Sequence, residues 1–197
     1  MKPAIEVMKS EHRLIESVLD ALDSYARLVS RGEKADREDL PRFIRFVEEF
    51  ADSKHHAKEE DILFVAMMEN GFPNKGGPVA CMLREHESGR VQMEILKKCA
   101  SEPLWSDETI ATIITACIEF SSTLRAHIFK EDHMIYEMAL AQLSPEKMSE
   151  VDAACKKRDE DRETDGTTVQ LMTQANELIS RYGCVKRASQ WVAKSGS

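Results

Sequence analysis

The chain has 197 residues, enough for one domain with a hydrophobic core and room for an appendage. Eight glycines and six prolines interrupt long windows of helical periodicity, which favours an all-α protein over a sheet protein. The formal net charge of −8 argues against a nucleic-acid surface, because phosphate contacts need clustered Lys and Arg.

Proline, glycine and capping residues divide the chain into helices in a regular order. The predicted helices run from Pro3 to Ser30, from about 36–41 to Asn70, from Val79 to Ala100, and from Ser106 or Asp107 to Leu143. A fifth segment begins at Pro145 and reaches Tyr182, with a break expected near Gly166. The short loops predict an up-down-up-down four-helix bundle over residues 1–143, followed by a C-terminal helical extension over 144–197.

Cysteine usage and the N-terminus predict a cytoplasmic protein without membrane contact. The five cysteines are odd in number and never form a C-x-x-C pair, which fits a reducing compartment better than a disulfide scaffold. The first residues lack the apolar core of a signal peptide, and no stretch has the length and apolar character of a transmembrane helix.

Each of the first four predicted helices carries a histidine on its apolar face. Steps of three and four residues place these histidines on the inner stripes, and the second and fourth stripes add a glutamate four residues later. The candidate metal ligands are His12, His56, Glu60, His86, His127 and Glu131. Burying such groups without compensation is expensive, and the inner stripes offer no Lys or Arg beyond a marginal Arg90. The pattern therefore predicts a metal site inside the bundle.

Neighbouring residues with similar spacing fall on other faces of these helices. Glu16 and His133 lie among polar residues, and the stripe analysis places His55 and Glu59 on a mostly solvated face, although a supporting or ligating role for His55 stays open. Asp132 is an alternative to Glu131: it lies about 100° off the stripe in a regular helix, but a π-bulge would bring it inward.

The types of donor in this set narrow the choice of metal. Imidazole nitrogens with carboxylate oxygens suit Fe, Mn, Zn or Cu better than Ca or Mg. Six ligands are too many for tetrahedral zinc but suit two ions, which the glutamates can bridge. The inner faces lack the Glu-x-x-His motif of ferritin-like di-iron bundles. A bundle without metal that acts as an interaction protein is the competing interpretation.

Several segments together make the sequence resemble a hemerythrin-like (HHE cation-binding) domain. They occur in the family's order across residues 1–143: Ser10-Glu11-His12, the run from His55 to Phe64, Gly77-Pro78 followed by Met82 to His86 with Arg90, and the run from Leu124 to Asp132. The resemblance implies a non-haem centre of two iron ions, which an oxo or hydroxo group could bridge. Its ligands, carried over by position, are the same six residues.

The resemblance also implies functions, and one departure bears on them. The expected protein binds O2, NO or a related small molecule for sensing, storage or stress protection. The alternative is a di-iron redox enzyme that turns over peroxide or NO, or an iron donor for iron–sulfur cluster repair. Oxygen-carrying hemerythrins have a second histidine one turn past the position of His86, where this chain has Arg90. This departure disfavours reversible O2 carriage. The C-terminal segment is expected to pack on the bundle or to form a homodimer contact.

Overall fold

The computed structural model describes residues 2–163 and 166–183. This part of the chain contains six helices joined by loops, and it contains no strand. The helices are α1 (Ala4–Ser30), α2 (39–69), α3 (Gly77–Ser101), α4 (107–142), α5 (Pro145–Arg162) and α6 (Thr167–Tyr182). The predicted all-α bundle with an additional C-terminal helical segment is confirmed.

Several residues that were expected to start and stop helices do so, whereas α3 begins at Gly77, two residues before the predicted Val79. The side-chain oxygens of Ser106 and Ser144 accept hydrogen bonds from the third backbone N–H beyond them, at 3.1 and 3.2 Å, and so cap α4 and α5. Pro145 opens α5, where a missing N–H costs nothing. Gly166 has a φ of 74°, which only glycine adopts without strain, and it separates α5 from α6.

The bundle interior contains two hydrophobic clusters with a polar layer between them. One cluster joins the end of α1 to the start of α2, the end of α3, the start of α4 and α6, around Tyr25 and Phe43. The other joins the start of α1 to the ends of α2 and α4 and to α5, around Phe64 and Tyr136. His12 follows the second cluster's Met8 on α1 and precedes the first cluster's Ile15, so it marks the level of the polar layer.

Two of the long helices contain π-helical segments at this level. In α2 these are Val47–His56 and Glu59–Leu63, and in α4 the segment is Glu131–Ile135. A π turn holds more residues than an α turn, so each extra residue shifts the inner face by about 100° relative to a regular helix. The stripes drawn with a regular period therefore change face within both helices.

The C-terminal helices pack on the bundle. Leu171 and Leu178 of α6 are buried in the same cluster as Tyr25, whereas Met172 is exposed. Packing on the bundle, one of the two roles expected for this segment, is therefore observed, and the homodimer stays a prediction. Cys184 and the residues after it lie outside the described part of the chain.

Two further observations concern the cysteines and the hydropathy of the helices. The cysteines among the described residues, Cys81, Cys99, Cys117 and Cys155, are unpaired. Within residues 2–163 and 166–183, none of the helices combines the length and hydropathy needed to cross a membrane.

Candidate metal centre

Five histidines and two glutamates converge in the polar layer, and they form two adjoining groups. The three-histidine group consists of His56, His86 and His127; the mixed group consists of His12, His55, Glu59 and Glu131. In each group the candidate ligand atoms lie within 4.8 Å of one another. All seven side chains are buried.

Glu131 lies between the two groups. Its Oε1 is 2.9 Å from Nε2 of His127, and its Oε2 is 3.3 Å from Nε2 of His12. Glu59 directs Oε2 towards Nε2 of His55 at 3.7 Å and Nε2 of His86 at 3.6 Å, while its Oε1 accepts a hydrogen bond from the Tyr136 hydroxyl at 2.5 Å. Each carboxylate thus faces histidines of both groups.

A carboxylate holds the outward nitrogen of every one of these histidines. The Nδ1 contacts are His12 with Asp132 at 2.7 Å, His55 with Glu11 at 2.9 Å, His56 with Asp52 at 3.1 Å, His86 with Glu60 at 2.6 Å, and His127 with Glu85 at 2.8 Å. Metal-binding histidines commonly have such a partner, because it fixes the ring and raises the basicity of the other nitrogen. The arrangement leaves Nε2 of all five rings directed inward.

Lys and Arg side chains in turn hold these outer carboxylates. Arg13 pairs with Asp132, Lys58 with Glu11 at 2.6 Å, Arg90 with both Asp52 and Glu60 at 2.7–2.8 Å, and Lys130 with Glu85. The centre is therefore layered: imidazoles and two acids inside, carboxylates around them, and cations outermost. The cations neutralise the outer carboxylates rather than the inner ones.

The inner carboxylates lack comparable partners among the described residues. Oε2 of Glu59 and both oxygens of Glu131 are buried and make no hydrogen bond of ordinary geometry. Burial and the nearby Glu131 raise the pKa of Glu59 well above its usual range. Burial alone would also raise the pKa of Glu131, but His127, His12 and His86 lower it well below the usual range.

Burial keeps the two histidines at the end of the Val47–His56 segment of α2 neutral. Burial and the nearby His12 lower the pKa of His55 to about 4, and burial with the nearby His86 lowers the pKa of His56 to about 3. A neutral imidazole is the form that binds a metal. Imidazole nitrogens around two buried acids, three of whose four oxygens lack hydrogen bonds, form a donor set that suits two transition-metal ions, so the residues fit the group that the resemblance implies.

The structure brings five of the six sequence-predicted residues together: His12, His56, His86, His127 and Glu131. Glu60, the sixth, lies outside both groups and binds Nδ1 of His86 and the Arg90 guanidinium. Of the two alternatives within α4, Glu131 faces the interior and Asp132 reaches the outward nitrogen of His12, because the π segment begins at Glu131 and not before it. Metal binding by this set stays a prediction.

The expectation that His55 and Glu59 face solvent is wrong. Both are buried, with at most 1% exposure, and both belong to the mixed group. The π segments of α2 turn two consecutive histidines inward, which a regular helix does not do. The only signal in the sequence was that the His–Glu pair occurs twice: His55 and Glu59 are four residues apart, and so are His56 and Glu60.

The structure also explains why an arginine at position 90 is compatible with the centre. Oxygen-carrying hemerythrins have a histidine at this position, and in this chain His56 of α2 completes a group of three with His86 and His127 instead. Arg90 binds Asp52, and Asp52 holds Nδ1 of His56. Arg90 therefore supports the third histidine of this group indirectly.

A cavity of about 270 Å³ leads from the surface to the three-histidine group. It lies among α2, α3 and α4, and His56, His86 and His127 line its inner end. The centre is thus buried in the bundle but open to small molecules from one side.

Comparison with known proteins agrees with this geometry. The hemerythrin HHE cation binding domain family matches residues 3–139. The iron-sulfur cluster repair protein YtfE of Yersinia pseudotuberculosis serotype IB (strain PB1/+) is 29% identical over 91 residues, which cover 45% of this chain and 41% of that relative. This chain therefore matches about two-fifths of the relative's length. No solved structure gives a significant match. Because the family match covers more than half of the chain, the protein belongs to the hemerythrin HHE cation-binding domain family.

Proposed function

We propose that this protein holds two non-haem iron ions between its two residue groups and presents them to O2, NO or a related small molecule in sensing, storage or stress protection. The observation that carries the proposal is the pair of buried acids, Glu59 and Glu131, which face five histidine Nε2 atoms and lack a Lys or Arg partner among the described residues. Bound cations would supply the missing charge.

The position of Glu131 supports two ions rather than one. Its two oxygens lie near nitrogens of different groups, His127 on one side and His12 on the other. A single ion would leave part of this donor set without a function. The mixture of imidazole and carboxylate favours iron, manganese, zinc or copper, and family membership favours iron among them.

Iron bound here would supply one-electron redox chemistry and coordination positions for a small ligand. The protein's own residues would prepare the site for it. The outer carboxylates orient the imidazoles, burial excludes bulk water, and the Tyr136 hydroxyl donates to Oε1 of Glu59 and fixes that carboxylate.

Metal analysis of the freshly purified protein, paired with absorption spectra, tests this function. We expect two iron ions per chain and bands that change when NO or O2 is added to the reduced protein. His86→Ala should lose bound iron, whereas His133→Ala, which changes an exposed histidine outside both groups, should retain it. Absence of stoichiometric metal, or spectra that do not respond to either gas, would contradict the proposal.

A second candidate function is redox turnover of peroxide or NO, or iron donation for iron–sulfur cluster repair. The similarity to a relative with the name iron-sulfur cluster repair protein favours the repair variant. Catalytic consumption of NO or peroxide, or iron transfer to a cluster-free acceptor protein faster than to a chelator, would support this function. Stoichiometric binding without turnover or transfer would favour the first.

A further inference from the structure

The cavity that ends at the three-histidine group is larger than a diatomic ligand needs. Its volume of about 270 Å³ exceeds the roughly 150 Å³ of an apolar protein cavity that binds benzene. One aromatic ring would therefore fit with room to spare.

The walls of this cavity are mainly apolar, and a glycine gives it width. Val47, Met93, Phe120 and Leu124 line it together with Gly89 of α3. A Cβ built on Gly89 would lie 3.6 Å from the Phe120 ring, an ordinary contact, so alanine fits and a longer side chain would extend towards the ring and into the cavity. Gly89 therefore controls the space next to His86.

The charged side chains that line the cavity already have partners. Arg90 binds Asp52 and Glu60, Lys130 binds Glu85, and Lys97 binds Glu48 and Glu94. An anionic ligand would therefore lose its hydration without gaining a free cation among the described lining residues. Apolar walls favour a neutral molecule with little polar surface.

We propose that this cavity binds a neutral, mainly apolar organic molecule of about the size of one aromatic ring and holds it against His56, His86 and His127. This inference rests on the proposed function, because an ion at the three-histidine group would contact that molecule. The ligand class of the centre then extends beyond diatomic gases to ring-sized organic compounds.

Fluorine NMR of the iron-loaded protein with fluorobenzene and with 4-fluorobenzoate tests the inference. Fluorobenzene should bind, and the carboxylate analogue should bind at least about tenfold more weakly. Gly89→Leu, which fills the cavity, should weaken fluorobenzene binding at least about tenfold, while the exposed Lys98→Leu on the same helix should retain it. Thr123→Phe, at an exposed position of the lining, blocks the cavity without changing its buried walls and should also weaken binding.

Any one of three results would overturn the inference. Failure of the wild-type protein to bind fluorobenzene, equal binding of the carboxylate, or binding unchanged in both Gly89→Leu and Thr123→Phe would do so. Iron content and the NO spectrum, measured on the same samples, separate this failure from failure of the proposed function. Protein that takes up iron and NO but not fluorobenzene overturns only the cavity proposal; fluorobenzene binding that depends on Gly89, in protein that takes up no iron, overturns the proposed function.

Discussion

Two adjacent glutamates of α2 have opposite environments. Glu59 is fully buried beside Glu131 and accepts a hydrogen bond from Tyr136. Glu60 is partly exposed, binds Arg90, and holds the outward nitrogen of His86. The proposed centre therefore assigns Glu59 to the metal and Glu60 to the orientation of a ligand.

Substitution of these two glutamates by glutamine should separate the roles. Glu59→Gln should lower the number of ions bound per chain, because it removes a charge that faces both groups. Glu60→Gln should retain both ions with an affinity reduced by about tenfold, the lower end for loss of an outer partner, since its amide oxygen can still accept from His86. Metal analysis after dialysis against a graded chelator measures both effects.

The metal-free proteins provide the matching control. Without metal, Glu59→Gln should melt at the same temperature as the wild type or higher, because the substitution removes an acid that is buried next to Glu131. Full metal content in Glu59→Gln together with loss of metal in Glu60→Gln would show that the assignment is reversed.

At the scale of elements, the two helices with π segments supply most of the candidate ligands, and the regular helix α3 supplies His86 and the access to it. The π segments of α2 and α4 lie at the level of the centre. Those of α2 turn His55 and Glu59 inward, and that of α4 begins at Glu131, which the regular stripe already directs inward. Helix α3 carries no π segment, and Gly89 follows His86 by three residues and opens the cavity. A glycine within a helix lowers its stability, so the residue that widens this cavity also makes α3 less stable.

Gly89→Ala should therefore stabilise the protein. Alanine lowers the entropy of the unfolded chain and favours the helix, and its Cβ has room beside Phe120, so the free energy of unfolding should rise by about 0.5–1 kcal/mol. Urea denaturation at equal metal content measures the change. An unchanged or lower free energy would mean that α3 cannot accommodate even a methyl group at this position.

For the whole molecule, the C-terminal helices are joined to the centre and not merely attached to the bundle. Asp159 of α5 contacts Lys54 at 2.5 Å and Lys58 at 3.1 Å, and both lysines are buried and also reach Glu11, the partner of His55. A chain of charges thus connects α5 to a candidate ligand.

Asp159→Asn should destabilise the fold by about 3 kcal/mol, because two buried lysines would share one remaining carboxylate. The control is Glu160→Gln, which removes an exposed pair with Lys156 and should cost no more than about 1 kcal/mol. Thermal and urea denaturation compare the two variants; equal losses would argue against the buried network.

Asp39 ties α6 to α2 and should give stability a defined pH dependence. Its Oδ2 accepts hydrogen bonds from Tyr182 at 2.6 Å and Arg181 at 2.5 Å, and its Oδ1 accepts one from Arg42 at 2.8 Å. Burial would raise the pKa of Asp39, but these donors outweigh it and lower that pKa below the usual 3.8. A lowered pKa in the folded state stabilises the protein above the unfolded-state pKa and ceases to do so as the pH falls through the folded-state value.

Asp39→Asn should therefore lower the free energy of unfolding by about 1–3 kcal/mol at neutral pH. The gap from the wild type should stay constant between neutrality and about pH 5 and shrink below pH 4. Asp36→Asn, which changes an exposed partner of Arg181, should have a much smaller effect. A gap that persists unchanged at pH 3 would contradict the assignment to the Asp39 carboxylate.

Local rules in the sequence determined the helices and most of the candidate centre. Helix starts at Ser106, Ser144 and Pro145 and the break at Gly166 depend on capping and backbone preferences that act over a few residues. His12, His86 and His127 could be predicted because they lie in regular stretches, where a period of 3.6 residues selects one face. Glu131 follows from the same stripe, since the π segment begins only there.

Tertiary structure alone decided the rest. The inward turn of His55 and Glu59 depends on π segments, whose position a regular period cannot indicate. The outer carboxylates belong to other helices or other turns than the rings they hold: Glu11 meets His55 across 44 residues, and Asp132 meets His12 across 120. The cavity beside Gly89 and the contact of Asp159 with the buried lysines likewise arise only when separate helices pack together, and sequence spacing within one helix carries no information about such contacts.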